Sequence, residues 1–440
     1  MTGVLERIRA VGRLGASARR RLQDQWRTPQ ELHELRRGRL ASLLNSAQCA
    51  PHYNPLLAPW AGRRNTDPFE VLRSLPILDR TGLMAHPPEA FATRPLSGMF
   101  KMTTSGSSGE PVGFYRSAED EAELSATWFR VYRAYGCGPF SSEVNIGRSI
   151  PSNKRGPLHL LRATGLLPNN VTVSSLAAVE EIAAVVARLQ PDVITGYALA
   201  VQSLAEHQLE TRFLTKPPKV AMCGAMQVSP YCLETTSLAF GAPAANCYVT
   251  NDAGVVAWSC PADNTVLHVN EDVLVVEIVD EHGRECPVGQ TGEVVLTPLH
   301  IHGMPLLRYR IGDMAARVPG ACACGRGLGL MSPIQGRSTH VVRSPSGKPL
   351  MATHLGMAFG RAGAEAWAER YQARELELGQ ICVSIVTRRP PTDAERNELL
   401  LSFHEVLQDD FHVALDFVNE LPLAPNGKFQ YLVPRQPAAA

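Results

Sequence analysis

The chain lacks any run approaching the ~18 uninterrupted apolar residues of a membrane span. It also has almost no net charge: 43 Lys plus Arg stand against 42 Asp plus Glu, a formal +1. That excludes a global basic field able to hold nucleic acid or anionic lipid, so any phosphate chemistry must be local. The N-terminal stretch is arginine-rich but has no apolar h-region or small-residue cleavage site, and Glu6 and Asp24 interrupt a transit-peptide pattern. It reads as a solvated amphipathic surface helix. The ten cysteines sit mostly alone in apolar surroundings, as in Ala221-Met222-Cys223-Gly224. This is the usage of reduced thiols in a cytoplasmic protein, not of a disulfide framework. Internal repeats and low-complexity segments are missing, and so is the Gly-x-Ser-x-Gly elbow of a hydrolase.

What is present is ordinary globular composition, 45% hydrophobic and 19% charged over 440 residues, enough for more than one domain. Trp128, Val131, Tyr132 and Tyr135 share one face of a helix expected over 119–135. Further helices are expected at 176–189, 199–210 and 230–239, alternating with strands at 191–197, 219–223 and 245–249. That alternation predicts an α/β sheet with helices on both faces. Residues 273–280 and 292–297 read as antiparallel strands. The tail, with strands at 381–387 and 412–418 around a helix at 392–408, reads as a separate small α+β domain. The predicted division is a large domain over 1–337 and a lid domain over 338–440.

Thr103-Thr-Ser-Gly-Ser-Ser-Gly-Glu-Pro111 packs hydroxyls and two glycines into one turn, expected between a strand and a helix. Glycine permits the positive φ and close backbone approach that point several N–H groups at one anion. The lysine of a Walker A loop is missing, so this is not a P-loop.

The order of the remaining motifs resembles the adenylate-forming superfamily, and within it the phenylacetate-CoA ligase and capsule-biosynthesis branch. Thr104, Ser105, Gly106, Ser107, Ser108 and Gly109 match its phosphate loop. Tyr248-Val-Thr-Asn251-Asp252 stands where the family has Tyr-Gly-x-Ser/Thr-Glu, whose ring flanks adenine and whose acid helps hold Mg²⁺. Arg308-Tyr-Arg-Ile-Gly-Asp313 matches Arg-Tyr-x-x-Gly-Asp, whose Asp grips the ribose. Gly336-Arg337 matches the pair before the hinge, and Pro425-Asn-Gly-Lys428 the C-terminal motif whose lysine serves adenylation. By position, Gly224-Ala225 would line the adenine. The resemblance implies ATP and Mg²⁺ as cofactors, Lys428 and Asp252 as catalytic residues, and a carboxylic acid activated as its acyl-AMP. It further implies a C-terminal domain that rotates between half-reactions, with coenzyme A as acceptor; an amine or the thiol of a separate carrier protein is the alternative.

The pattern is not kept throughout. Asp252 is one methylene shorter than the family's glutamate, and Thr339 or His340 stands where the hinge carboxylate belongs. A nucleotide-binding sensor or assembly partner with weakened catalysis is therefore the second alternative. Cys322-Ala-Cys324-Gly has the turn of a metal knuckle, and two thiolates need two further ligands. Cys260 and His268 are the candidates, a set the same branch often carries, implying structural Zn²⁺ against the alternative of buried free thiols. His300 and His302 could replace His268 or face the acyl pocket, but are expected to be surface side chains. The branch favours an aryl or arylacetic acid, with Trp128, Tyr132 and Tyr197 as candidate walls, although core packing is the plainer role for that helix. A homodimer is compatible with all of this; nucleic acid and membrane are not expected partners.

Overall fold

The computed structural model describes residues 2–63, 66–104, 112–147, 170–338, 341–408, 410–423 and 429–435. The chain forms two compact units. One holds the described residues up to Pro333 except 312–314; the other holds 312–314 and the described residues from Ile334 onward.

The first unit opens with α1 (Thr2–Asp24) and α2 (Pro29–Ala47). The second of these starts at a capping box in which Thr28 and Glu31 satisfy each other's backbone N–H, with Pro29 pre-set for the first turn. A hairpin of β1 (Phe100–Thr104) and β2 (Val112–Arg116) leads into α3 (Ala118–Ala134). The phosphate loop thus joins two paired strands, with Thr104 opposite Val112, and not a strand to a helix as expected. The alternating burial of Val112, Phe114 and Arg116 makes the segment after the loop a strand.

The parallel strands β3 (Glu143–Gly147), β4 (Asn170–Ser174), β5 (Val193–Tyr197), β6 (Val220–Gly224) and β7 (Ala244–Thr250) lie in the order β4-β3-β5-β6-β7. Their period of two sorts side chains between two cores. Val144, Ile146, Ile194, Ala221 and Cys223 face α4 (Val179–Leu189), α5 (Ala198–Thr211) and α6 (Pro230–Phe240). Val193, Val220, Met222 and Cys247 lie with Val131 of α3, Tyr135 just past its end and Leu32 of α2. Helices on both faces of a parallel sheet are what its near-continuous apolar strands require.

The sheet continues antiparallel through β8 (Gly254–Cys260) and β9 (Asp263–Val269). Beyond β9 come β13 (Leu330–Met331), β12 (Tyr309–Val318), β11 (Thr291–Pro298) and β10 (Leu274–Val279). Among the described residues, no helix is long and apolar enough to cross a membrane.

Two expectations fail here. The N-terminal helix is not merely a solvated surface element: Leu14 and Ala18 are buried with Ala122 and Ala126 of α3, and Arg21 is 3% exposed. The buried anion Asp272, 3.7 Å from Arg21, gives that arginine a reason to be inside. Nor are His300 and His302 surface side chains. His300 is buried with Nδ1 3.1 Å from the Val273 carbonyl, and His302 Nδ1 lies 2.9 Å from Ser46 Oγ. Asp120, in the N-terminal capping box of α3, also accepts from the backbone N–H groups of His302 and Gly303, which holds that segment inward.

In the second unit, β14 (Gly336–Arg337) pairs with Asp313 and Met314. Its main body is a four-stranded sheet ordered β17 (His412–Phe417), β16 (Gln380–Thr387), β15 (Ala368–Glu377), β18 (Leu432–Val433). Two helices, α7 (Ala352–Arg361) and α8 (Asp393–Leu407), supply Leu355, Phe359, Leu399 and Phe403 to its core.

Candidate active site

Ligands of open α/β sheets bind beyond the carboxyl ends of the parallel strands. In this sheet Tyr197 closes β5 opposite Gly224, which closes β6 opposite Cys247, the neighbour of Tyr248. A Cβ on Gly224 would stand 2.6 Å from the Cys247 carbonyl oxygen, so the close approach of these strands requires glycine. Ala225 comes next at φ +62°, a left-handed conformation that costs a non-glycine residue energy and clusters at functional sites. Past the end of β7, Asn251, Asp252 and Ala253 form the turn into β8, with Asn251 exposed and Asp252 buried. Thr250 Oγ1 accepts the Ala253 N–H at 3.2 Å and tightens that turn. Six of the sequence-predicted residues thus gather on one strand edge: Tyr197, Gly224, Ala225, Tyr248, Asn251 and Asp252.

Asp313 and Arg337 meet within the second unit, Arg337 Nε donating to Asp313 Oδ1 at 3.1 Å. Thr104 ends β1. Ser105, Gly106, Ser107, Ser108, Gly109, Thr339, His340 and Lys428 lie outside the described residues.

Cys260, His268, Cys322 and Cys324 form a cluster whose ligand atoms all fall within 4.8 Å of one another. The fold builds it from the last residue of β8, the next-to-last of β9 and the loop before β13, where Gly325 takes φ +80° to turn the knuckle. Cys324 Sγ lies 3.3 Å from His268 Nε2. Burial lowers the His268 pKa to about 4, leaving the imidazole neutral. Burial works against ionisation of Cys324, yet hydrogen bonds from Arg326 outweigh it and lower that pKa. Three sulfurs and a neutral imidazole suit a closed tetrahedral zinc site. His300 and His302 take no part in it.

Trp128 and Tyr132, their rings 5.9 Å apart, line a cavity of about 350 Å³ between α3 and the sheet. Sequence reasoning missed its other wall. Glu143, Asn170 and Thr195 stand on the sheet side, and the Thr195 hydroxyl donates to Glu143 Oε1 at 3.0 Å. Polar residues at alternate positions of the strand-like Glu143-Val-Asn-Ile-Gly147 were the signal available.

No family model matches the chain. Among curated proteins it is similar to phenylacetate-coenzyme A ligase of Thermus thermophilus, 27% identical over 289 residues, covering 61% of this chain and 62% of that protein. It is also similar to protein CapK of Staphylococcus aureus, 22% identical over 354 residues, covering 78% of this chain and 75% of CapK. Among solved structures it shares the fold of 2-hydroxyisobutyryl-CoA ligase in the postadenylation state. There the TM-score is 0.73 at 18% identity, covering 91% of this chain and 89% of that one. In motif order and in these likenesses the chain is similar to the phenylacetate-CoA ligase-like branch of the adenylate-forming superfamily, and it shares the fold of such ligases.

Proposed function

We propose that the protein uses ATP to activate a carboxylic acid as its acyl-adenylate and then passes the acyl group to a thiol, that of coenzyme A. The gathering of Tyr197, Gly224-Ala225, Tyr248 and Asn251-Asp252 on the carboxyl edge of the parallel strands carries this reading. A carboxylate is a poor electrophile because oxide leaves badly. Attack of its oxygen on the ATP α-phosphorus expels pyrophosphate and leaves AMP as the new leaving group. A thiol then attacks the carbonyl carbon, and AMP departs with the bridging oxygen.

The protein's task is to bring two anions together and stabilise charge on phosphoryl oxygens. Tyr248 is assigned to the adenine face, Asp313 to the ribose, and the backbone and hydroxyls of 104–109 to the phosphates. Asp252 would hold the Mg²⁺ that accompanies the triphosphate and supplies positive potential there. The Lys428 ammonium is assigned to the adenylation step. Trp128 and Tyr132 wall the acid, which we assign to the aryl or arylacetic class. The Cys260, His268, Cys322 and Cys324 cluster would hold a structural Zn²⁺ with no part in the chemistry.

The shortened acid at Asp252 supports a second reading, a nucleotide-binding protein that does not turn over. Exchange of labelled pyrophosphate into ATP across a panel of acids separates the two. Acid-dependent exchange is the expected result; nucleotide binding without exchange for any acid would leave the sensor standing.

A further inference from the structure

The charge of the cysteine cluster points to a residue outside it. Three thiolates and a neutral imidazole around Zn²⁺ leave an excess of about one negative charge. Cys260 and His268 hold that charge away from water, and a buried charge needs a partner. Arg326, two residues past Cys324, supplies the opposite sign. Its Nη1 donates to Cys260 Sγ at 3.9 Å. Its guanidinium carbon lies 4.8 Å from the Trp26 ring centroid and 5.3 Å from that of Trp258, so two indole rings take up the planar cation. Among the described residues it forms no ion pair with a carboxylate. The sulfur cluster is what its charge faces.

The same side chain also reaches the N-terminal helices. Arg326 Nε donates to Gln25 Oε1 at 2.9 Å. Gln25 is 4% exposed and spends its Nε2 on the Leu22 carbonyl at 3.0 Å, which holds its amide oxygen towards the arginine. Backbone contact reinforces the link. The Gly327 N–H donates to the Gln25 carbonyl at 3.0 Å, and a Cβ on Gly327 would stand 1.8 Å from the Arg27 carbonyl oxygen. Only glycine permits that approach. Gln25, Trp26 and Arg27 belong to the turn between α1 and α2. Knuckle and turn therefore share one arginine and one close backbone crossing.

Resting on the zinc assignment above, we propose that Arg326 is the counter-cation of the metal cluster, and that through it the bound metal fastens the turn between the two N-terminal helices to the sheet. Groups outside the ligand shell tune a metal site, and losing one typically costs about 10–100-fold in affinity. Coupling of this kind is reciprocal: what Arg326 adds to zinc binding, zinc returns to the turn.

The test uses the full chain as purified, its zinc counted by elemental analysis and displaced by a chromogenic chelator. Arg326→Gln should give up zinc at about 10–100-fold lower chelator concentration than the wild type. Arg326→Lys, which keeps the charge but not the stacking plane, should recover most of that loss. Removing zinc from the wild type should speed amide hydrogen exchange at Trp26 and Arg27 by about tenfold, with α5 unchanged, and should add little in Arg326→Gln. Wild-type affinity in Arg326→Gln would overturn the inference, as would a lysine variant as weak as the glutamine one. So would exchange at the turn that ignores the metal or rises equally in α5, a result that needs no variant and decides even where Arg326→Gln does not fold. Wild-type protein that takes up no zinc sinks the zinc assignment and this inference with it. Zinc held equally by wild type and Arg326→Gln sinks this inference alone.

Discussion

Arg130 and Asp272 are each 0% exposed at the side chain and joined by two hydrogen bonds of 2.8 Å. Burial opposes ionisation of Asp272, but Arg130, Arg21 and Arg39 outweigh it and hold its pKa at about 2. Asp272→Asn strips one partner and leaves Arg130 buried without its counter-charge, so it should cost about 3–5 kcal/mol in urea unfolding at pH 7. Because the folded pKa lies below the unfolded value of about 3.9, the carboxylate's contribution to stability is full above pH 4 and lost as pH falls towards 2. The variant should therefore have a flatter stability profile between pH 4 and 2; identical slopes would refute the assignment. At Gly224 the constraint is steric. Gly224→Ala should destabilise the first unit by about 1–3 kcal/mol, measured as a lower Tm, and raise KM for ATP. An alanine variant with unchanged Tm and KM would show that β6 and β7 need not approach so closely. None of the buried ion network was legible in the sequence, because Arg21, Arg130 and Asp272 are far apart along the chain and each reads singly as a surface charge. The end of the strand expected at 245–249 was legible, since the polar residues Thr250, Asn251 and Asp252 follow it.

At the level of elements, the knuckle before β13 joins its two cysteines to β8 and β9. Purified without chelator, the protein should contain one zinc per chain by elemental analysis. Cys322→Ser should lose the metal and lower Tm while leaving KM for ATP within about twofold, since a closed site is structural. Metal-free wild-type protein of full stability would contradict this. The strand–helix alternation from 176 to 250 was readable because its apolar periods switch cleanly between 3.6 and 2. The hairpin around the phosphate loop was not, because Val112-Gly-Phe-Tyr-Arg116 is too short to separate from the start of α3 without knowing its partner Phe100–Thr104. Burial of α1 escaped for a related reason: its arginine-rich composition masks the Leu14–Ala18 stripe that packs on α3.

For the whole molecule, the proposed activity divides into two half-reactions, and the residues assigned to them differ. Lys428→Ala should slow adenylation by roughly 10²–10³ while transfer from preformed acyl-AMP stays near the wild-type rate. Equal losses in both steps would remove Lys428 from its assigned role. The fold class was open to sequence reasoning because five motifs in order span most of the chain. The acid was not, since the cavity walled by Trp128 and Tyr132, to which we assign it, is assembled from α3, β3, β4 and β5 by packing that no single segment announces. Formation of the acyl-adenylate itself is tested most directly by tracing an oxygen atom. With an acid that supports exchange, labelled with ¹⁸O in its carboxylate, and coenzyme A as acceptor, the account predicts one ¹⁸O in the phosphate of the AMP released. Label appearing in inorganic phosphate, or in no phosphorus product at all, would contradict it.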